Sequence, residues 1–129
     1  MLDHRRLTVY RTALESLAVI DEIVELLPPG RAHLKDQLDR VATSIVLHIA
    51  EGAGEFSPRD KARFYRIARR SATESAAILD IVEQRHHAPP EKLVRAQGLL
   101  VEVISMLVRM IRARAGAKGR GRGSPAAPL

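Results

Sequence analysis

Gln37-Leu38-Asp39-Arg40-Val41-Ala42-Thr43-Ser44-Ile45-Val46-Leu47-His48-Ile49-Ala50-Glu51-Gly52 carries its large apolar residues at helical intervals. With Leu34 just before it, Leu38, Val41, Ile45 and Ile49 recur every three or four positions, which puts them on one face of an α-helix. Lys35, Asp36, Asp39 and Arg40 lie around that face. One amphipathic helix must bury its stripe against other elements, so the flanking sequence has to supply them.

Three breaks divide the chain: Pro28-Pro29-Gly30, then Gly52-Ala53-Gly54 with Ser57-Pro58, then His86-His87-Ala88-Pro89-Pro90. Each combines residues that stop or restart helices. They predict helices at about 5–27, 31–51, 58–85 and 90–114, and no segment alternates as a strand does. The first helix has the stripe Leu7, Tyr10, Leu14, Leu17, Val24 and Leu27, interrupted at Asp21. The third begins with Ser57 as cap, Pro58 in the first turn and Asp60 three residues after the cap. Its inner stripe is Phe64, Ile67, Ala68, Ser71, Ser75, Ile78 and Val82. The fourth has two stripes: Leu93, Leu100, Val103, Leu107 and Met110, and Val101, Ile104, Val108 and Ile111. A bundle helix apolar on two sides predicts a subunit interface on the second, the alternative being a single broad core face. Short connections predict an all-α, up-down-up-down antiparallel four-helix bundle over 1–114. Residues 115–129 (Gly, Arg, Pro and little else of size) are expected to form a disordered basic tail.

Composition narrows the function. Apolar residues are 46% of 129, enough for one core, but aromatics are only 3% and Trp is absent. Cysteine is absent, which excludes disulfides and thiolate chemistry and fits a reducing cytoplasm. Residues 1–11 lack the apolar segment of a secretory signal, and no run approaches the roughly 20 apolar residues of a membrane span. The net charge is +6, of which five charges fall after Ile111 with no acid among them, leaving residues 1–111 nearly neutral. Basic charge so concentrated favours polyanions.

The third helix carries the clearest functional pattern. Arg59, Arg63, Arg66 and Arg70 stand at intervals of four, three and four, forming one stripe well away from the apolar face. Arg69 and Lys61 add charge, and Asp60 is the single acid between Pro58 and Arg70. With so few acids interspersed, pairing along the same helix is not available, and a rigid row of guanidinium groups suits phosphates along a backbone. A solvated face, or pairing to acids of another helix or subunit, is the plainer reading. Lys118, Arg120 and Arg122 repeat the theme among glycines, as in segments that bind nucleic acid without sequence preference; a solubilising tail is the alternative.

Other polar residues point away from chemistry. Arg40, Ser44, Glu51 and Glu74 lie near packing faces, with Arg69 and Ser71, and are expected to form a structural polar network between the second and third helices. A catalytic carboxylate pair would also need a pocket and positioning groups. His4, His33, His48, His86 and His87 have no helical metal-ligand spacing, so no metal or other cofactor is expected. Gly52-Ala53-Gly54 is followed by no Lys-Ser/Thr pair, which excludes a P-loop, and it reads as a helix stop.

The stretch 37–52 resembles the signature Q-L-x-R-A-x-x-S-I-x-x-N-I-A-E-G of the four-helix-bundle proteins encoded in intervening sequences of bacterial 23S rRNA genes. Phe64, Ile67-Ala68-Arg69-Arg70-Ser71 and Glu74 are similar to that family's F-x-x-I-A-R-G-S-x-x-E, and Leu7-Thr8-Val9-Tyr10 with Ala13 to its L-x-V-[WY]-x-x-A. The resemblance spans about residues 5–114. His48 stands where the family has Asn, Val46 where Pro is common, and Arg70 where Gly is usual. The resemblance implies homo-oligomers, pentameric rings among them, and no enzymatic activity. A related branch, the accessory variability protein of diversity-generating retroelements, associates with reverse transcriptase and nucleic acid. The expectation is therefore a non-catalytic, oligomeric, cytoplasmic nucleic-acid-binding module with no membrane role; the alternative is a ring-forming adaptor for a protein partner such as a reverse transcriptase.

Overall fold

The computed structural model describes residues 2–121. A 3-10 turn, Asp3–Arg6, precedes four helices: α1 (Thr8–Leu26), α2 (Ala32–Gly54), α3 (Pro58–Gln84) and α4 (Pro90–Gly121). The fold is an all-α four-helix bundle, with no strand among the described residues. Each helix packs on its neighbours in sequence, and α1 closes against α4. Cross-helix pairs run in opposite directions. Gln37 meets Glu74, Ser44 meets Ser71 and Ala53 meets Lys61, so α2 and α3 are antiparallel. Ala76 meets Gln97 and Tyr65 meets Arg114, so α3 and α4 are too. Glu22 meets Lys92 across α1 and α4.

The core is built on alternating intervals of three and four. Val9, Ala13, Ser16, Ile20 and Ile23 line α1, Leu38, Ala42, Ile45, Ile49 and Gly52 line α2, Tyr65, Ala68, Ala72, Ser75, Leu79 and Val82 line α3, and Leu93, Ala96, Leu100, Val103 and Leu107 line α4. This spacing keeps one seam of each helix facing its partners. Small residues on every helix let the axes approach closely, and two of the buried hydroxyls are satisfied within their own helix: Ser16 donates to Ala13 O (2.7 Å) and Ser75 to Ser71 O (2.8 Å).

The α1 face differs from expectation. Of the predicted stripe only Leu27 is buried; Leu7, Tyr10, Leu17 and Val24 are half-buried and Leu14 is 42% exposed. The true seam lies one residue earlier, because Ala13 and Ser16 allow a closer approach than the bulkier neighbouring stripe. In α3 the seam includes Tyr65, Ala72 and Leu79, while Phe64 and Ile67 are half-buried. In α4 the first predicted stripe is core except for half-buried Met110. The second leaves Val101 61% exposed, with Val94 on the same side at 70%.

The breaks work by different means. Leu27, held extended before Pro28, ends α1, and Gly30 takes φ 89° to turn the chain. After α3, His86 adopts φ 57°, His87 N–H donates to Val82 O and His86 N–H to Glu83 O, a left-handed cap of the kind usually made by glycine. Gly52-Ala53-Gly54 does not stop α2, which continues through Gly54. Gly52 is instead a contact residue: a Cβ there would lie 2.6 Å from Tyr65 Cε1 and 2.8 Å from Tyr65 Cδ1. The fourth helix likewise runs past its expected end at Arg114 to Gly121. Ala115, Ala117, Lys118 and Arg120 are good helix formers, and extending an existing helix needs no new nucleus. The expected tail from 122 to 129 lies outside the described residues.

These glycines give a paired test. Gly52→Ala forces a clash with a ring that is only 1% exposed and has nowhere to move, whereas a Cβ at Gly54 meets nothing within 4 Å. Denaturant unfolding should show Gly52→Ala destabilised by about 1–3 kcal/mol and Gly54→Ala unchanged or stabilised by up to about 1 kcal/mol. Equal effects would contradict the packing role.

Candidate nucleic-acid interface

The basic row lies on the first part of α3, which is well anchored. Ser57 Oγ accepts the Asp60 N–H (3.0 Å), and Pro58 occupies the first turn. Ala62, Tyr65, Ala68 and Ala72 bury the inner face of the same turns. Arg59, Arg63, Arg66, Arg69 and Arg70 are all exposed. Among the described residues none of the five guanidinium groups forms an ion pair or donates a hydrogen bond. The ion pair that is present joins Lys92 and Glu22 (3.3 Å) across α4 and α1. Arg69 and Arg70, with Thr73, Glu74 and Ala77, line a shallow, open depression along α3.

Lys61 does not extend the row. Its Nζ folds back on the end of α2, donating to Ala53 O (2.9 Å) and Gly52 O (3.3 Å). It thus neutralises the negative end of that helix where α3 begins. Close by, the Arg63 guanidinium lies 4.6 Å above the Phe64 ring, and the His48 ring stacks with Phe64 at 6.3 Å between centroids. Phe56, in the α2–α3 connection, is 98% exposed. Sequence reasoning missed it because a single residue in a short connection has no periodicity; the signal was that both phenylalanines of the chain fall within nine residues.

The expected Arg–Glu network is not formed. Arg40, Glu51 and Glu74 are exposed and make no ion pair with one another among the described residues. At the surface, water satisfies these charges, so nothing compels them to pair. Glu74 accepts from Gln37 instead (3.3 Å). The interhelical polar contact is smaller and neutral: Ser44 Oγ and Ser71 Oγ lie 2.9 Å apart, and His48 Nδ1 is 3.0 Å from Ser44 Oγ and 2.8 Å from Ser44 O. Because a carbonyl only accepts, the Nδ1 proton belongs on the bond to Ser44 O, and Nδ1 then has no lone pair to take a proton from Ser44. The trio ties α2 to α3 and is ill suited to nucleophilic activation.

The remaining candidates divide by position. Lys118 and Arg120 fall on the last turns of α4, and Arg122 lies outside the described residues. Arg114 packs its guanidinium over the Tyr65 ring (5.1 Å) and donates to Met110 O (2.9 Å). Burial raises the Tyr65 hydroxyl above its usual pKa, and Arg114 opposes that shift. His87 is half-buried rather than fully solvated, its Nε2 accepting from Arg31 Nε (3.3 Å). Among the described residues no group of three or more His, Asp or Glu is placed to hold a metal ion, and no helix is long and apolar enough to cross a membrane.

Asp21 of α1 has its carboxyl held above the usual range by partial desolvation and by the like charges of Asp39 on α2 and Glu25. These three acids make the α1–α2 contact locally acidic.

Residues 5–109 match the family described as 23S rRNA-intervening sequence protein. The chain is also similar to a crystal structure, from Bacteroides thetaiotaomicron VPI-5482, of a protein with unknown function from the S23 ribosomal protein family. The two are 22% identical, the match covers 81% of this chain and 98% of that one, and the TM-score is 0.74. At that identity the likeness establishes the fold. No curated protein matches the chain.

The acidic contact makes a pH-dependent prediction. A carboxyl whose pKa is raised on folding costs stability as pH rises through its range, and nothing when both states are protonated. Asp21→Asn should therefore raise the melting temperature at pH 7, by the equivalent of a few tenths of a kcal/mol at this exposed position. The gain should vanish at a pH below the carboxylate range. A gain that persists there would mean that charge repulsion is not its cause.

Proposed function

This chain belongs to the 23S rRNA-intervening sequence protein family, and on that premise we propose that it is a non-catalytic, self-associating cytoplasmic module that binds the backbone of RNA or DNA through the start of α3. The observation that carries this reading is the set of five exposed guanidinium groups, Arg59, Arg63, Arg66, Arg69 and Arg70, without acid partners among the described residues. Arginines on a packed helix lose little further order on meeting phosphates, and each contact releases condensed counterions. Lys118, Arg120 and Arg122 add charge from the C-terminal segment. A row made only of arginines suits phosphates, so the binding proposed is to the backbone, without sequence preference. The Ser44–His48 geometry supports the non-catalytic reading, since a Nδ1 proton on the bond to the Ser44 carbonyl leaves no lone pair there to activate the hydroxyl.

Self-association rests on α4. Val94 and Val101, with half-buried Ile104, Val108 and Ile111, line one side of that helix. Such a stripe on a bundle helix is suited to a second copy, and the family resemblance makes a homopentamer the assembly we propose. The same stripe favours the second reading, a ring-forming adaptor whose arginines meet an acidic protein, for example a reverse transcriptase or another nucleic-acid enzyme. An adaptor binds nucleic acid only weakly.

Fluorescence anisotropy of labelled single- and double-stranded RNA and DNA at several salt concentrations separates the two. Affinity should fall as salt rises, with a log–log slope of about −3 to −4 if four or five phosphates are neutralised. Arg63→Glu/Arg66→Glu should weaken binding at least about tenfold and flatten the slope. A chain ending at Ala115 should lose less. If the full chain fails to bind at low salt, the nucleic-acid reading is wrong and a protein partner is indicated.

A further inference from the structure

Phe56 is 98% exposed in a chain with only four aromatic residues apart from histidine. Its position is not a loose one. The connection is three residues long, Glu55 to Ser57, and is pinned on both sides. Glu55 N–H donates to Gly52 O (3.2 Å), Ser57 Oγ accepts from Asp60 N–H (3.0 Å), Lys61 N–H donates to Ser57 O (3.0 Å), and Lys61 Nζ donates to Gly52 O and Ala53 O in the last turn of α2. The backbone therefore holds the ring outward on a rigid mount. An aromatic ring so displayed gains from a flat apolar partner, since its face is wholly hydrated in the free protein.

The surroundings identify that partner. Glu55 and Ser57 flank the ring, Arg59 follows three residues later, and Arg63 and Arg66 continue along the same helix. An apolar interface with another protein calls for apolar neighbours, and Phe56 has polar ones. The exposed apolar residues of α4 lie on a different helix. An aromatic face leading into a row of unpaired guanidinium groups is the pattern that takes an unpaired base and then its following phosphates. The end of α2, whose partial negative charge would repel a phosphate, is already covered by the Lys61 ammonium. Further along, the Arg63 guanidinium lies over the Phe64 ring.

We infer that Phe56 is a stacking site for an unpaired nucleobase, so that this corner prefers single-stranded nucleic acid or a strand end over a closed duplex. The inference rests on the α3 backbone-binding reading. The ring supplies strand preference, and the arginines supply salt-dependent affinity.

Because the chain lacks tryptophan, Phe56→Trp places a lone indole at the site. Titrated with a single-stranded oligothymidylate, it should retain wild-type affinity and show quenched emission, while a blunt duplex should quench it little. Phe56→Ala should bind the same strand about tenfold more weakly, with the salt slope and duplex affinity unchanged. Sedimentation velocity on each variant reports assembly. Single-strand affinity unchanged in Phe56→Ala, with binding by the wild type intact, overturns the stacking site and leaves the backbone reading standing. A Phe56→Ala chain that dissociates into smaller species while its affinity holds assigns the ring to subunit contact and equally overturns it. No binding by the wild type overturns both readings.

Discussion

Tyr65 fills the space that a side chain at position 52 would need, and this contact sets how closely α2 and α3 approach. The ring is fully buried in a core otherwise made of aliphatic and small side chains, so its demand for space cannot be met elsewhere. With the axes fixed at that separation, Ser44 reaches Ser71 and Lys61 reaches the carbonyls at the end of α2. The same contact fixes the rotation of α3. Once Tyr65, Ala68 and Ala72 face inward, Arg59, Arg63, Arg66 and Arg70 are directed to solvent.

The acids beside Asp21 sit on α1 and α2, and the arginines of the α3 row form no ion pair among the described residues. A helix held by a dry core and a satisfied cap keeps its surface charges in register, which is what a repeating polyanion requires. The same molecule keeps Val94 and Val101 of α4 outside its own core. In the proposed function the basic edge for phosphate and the apolar edge for assembly lie on different helices, so that the two need not compete.

Much of the fold was legible because Pro28-Pro29-Gly30 and His86-His87-Ala88-Pro89-Pro90 stop helices by steric means that depend little on tertiary context. The register of α1 was not, since Leu14 and Leu17 outweigh Ala13 and Ser16 in any count of hydrophobicity, although the small pair admits the closer neighbour. Gly52 was misread for a related reason: a glycine needed for contact looks in sequence like a glycine that ends a helix. The arginine row was legible from spacing alone. The Arg40–Glu51–Glu74 network was not, because charged residues beside a seam pair only when burial forces them to, and these three remain in water. Phe56 carried no periodic signal, and only its exposure on a pinned connection gives it meaning.

The most direct test of the account is to map the bound surface residue by residue. Chemical shifts of ¹⁵N-labelled backbone amides and arginine side chains would be followed as a single-stranded oligonucleotide is added at low salt. The account predicts that the largest changes gather at Phe56 and along Arg59 to Arg70, and that Asp21, Glu25 and Asp39 at the acidic α1–α2 contact stay still. Changes centred on α4 or on the acidic contact, with the α3 arginines unmoved, would contradict it.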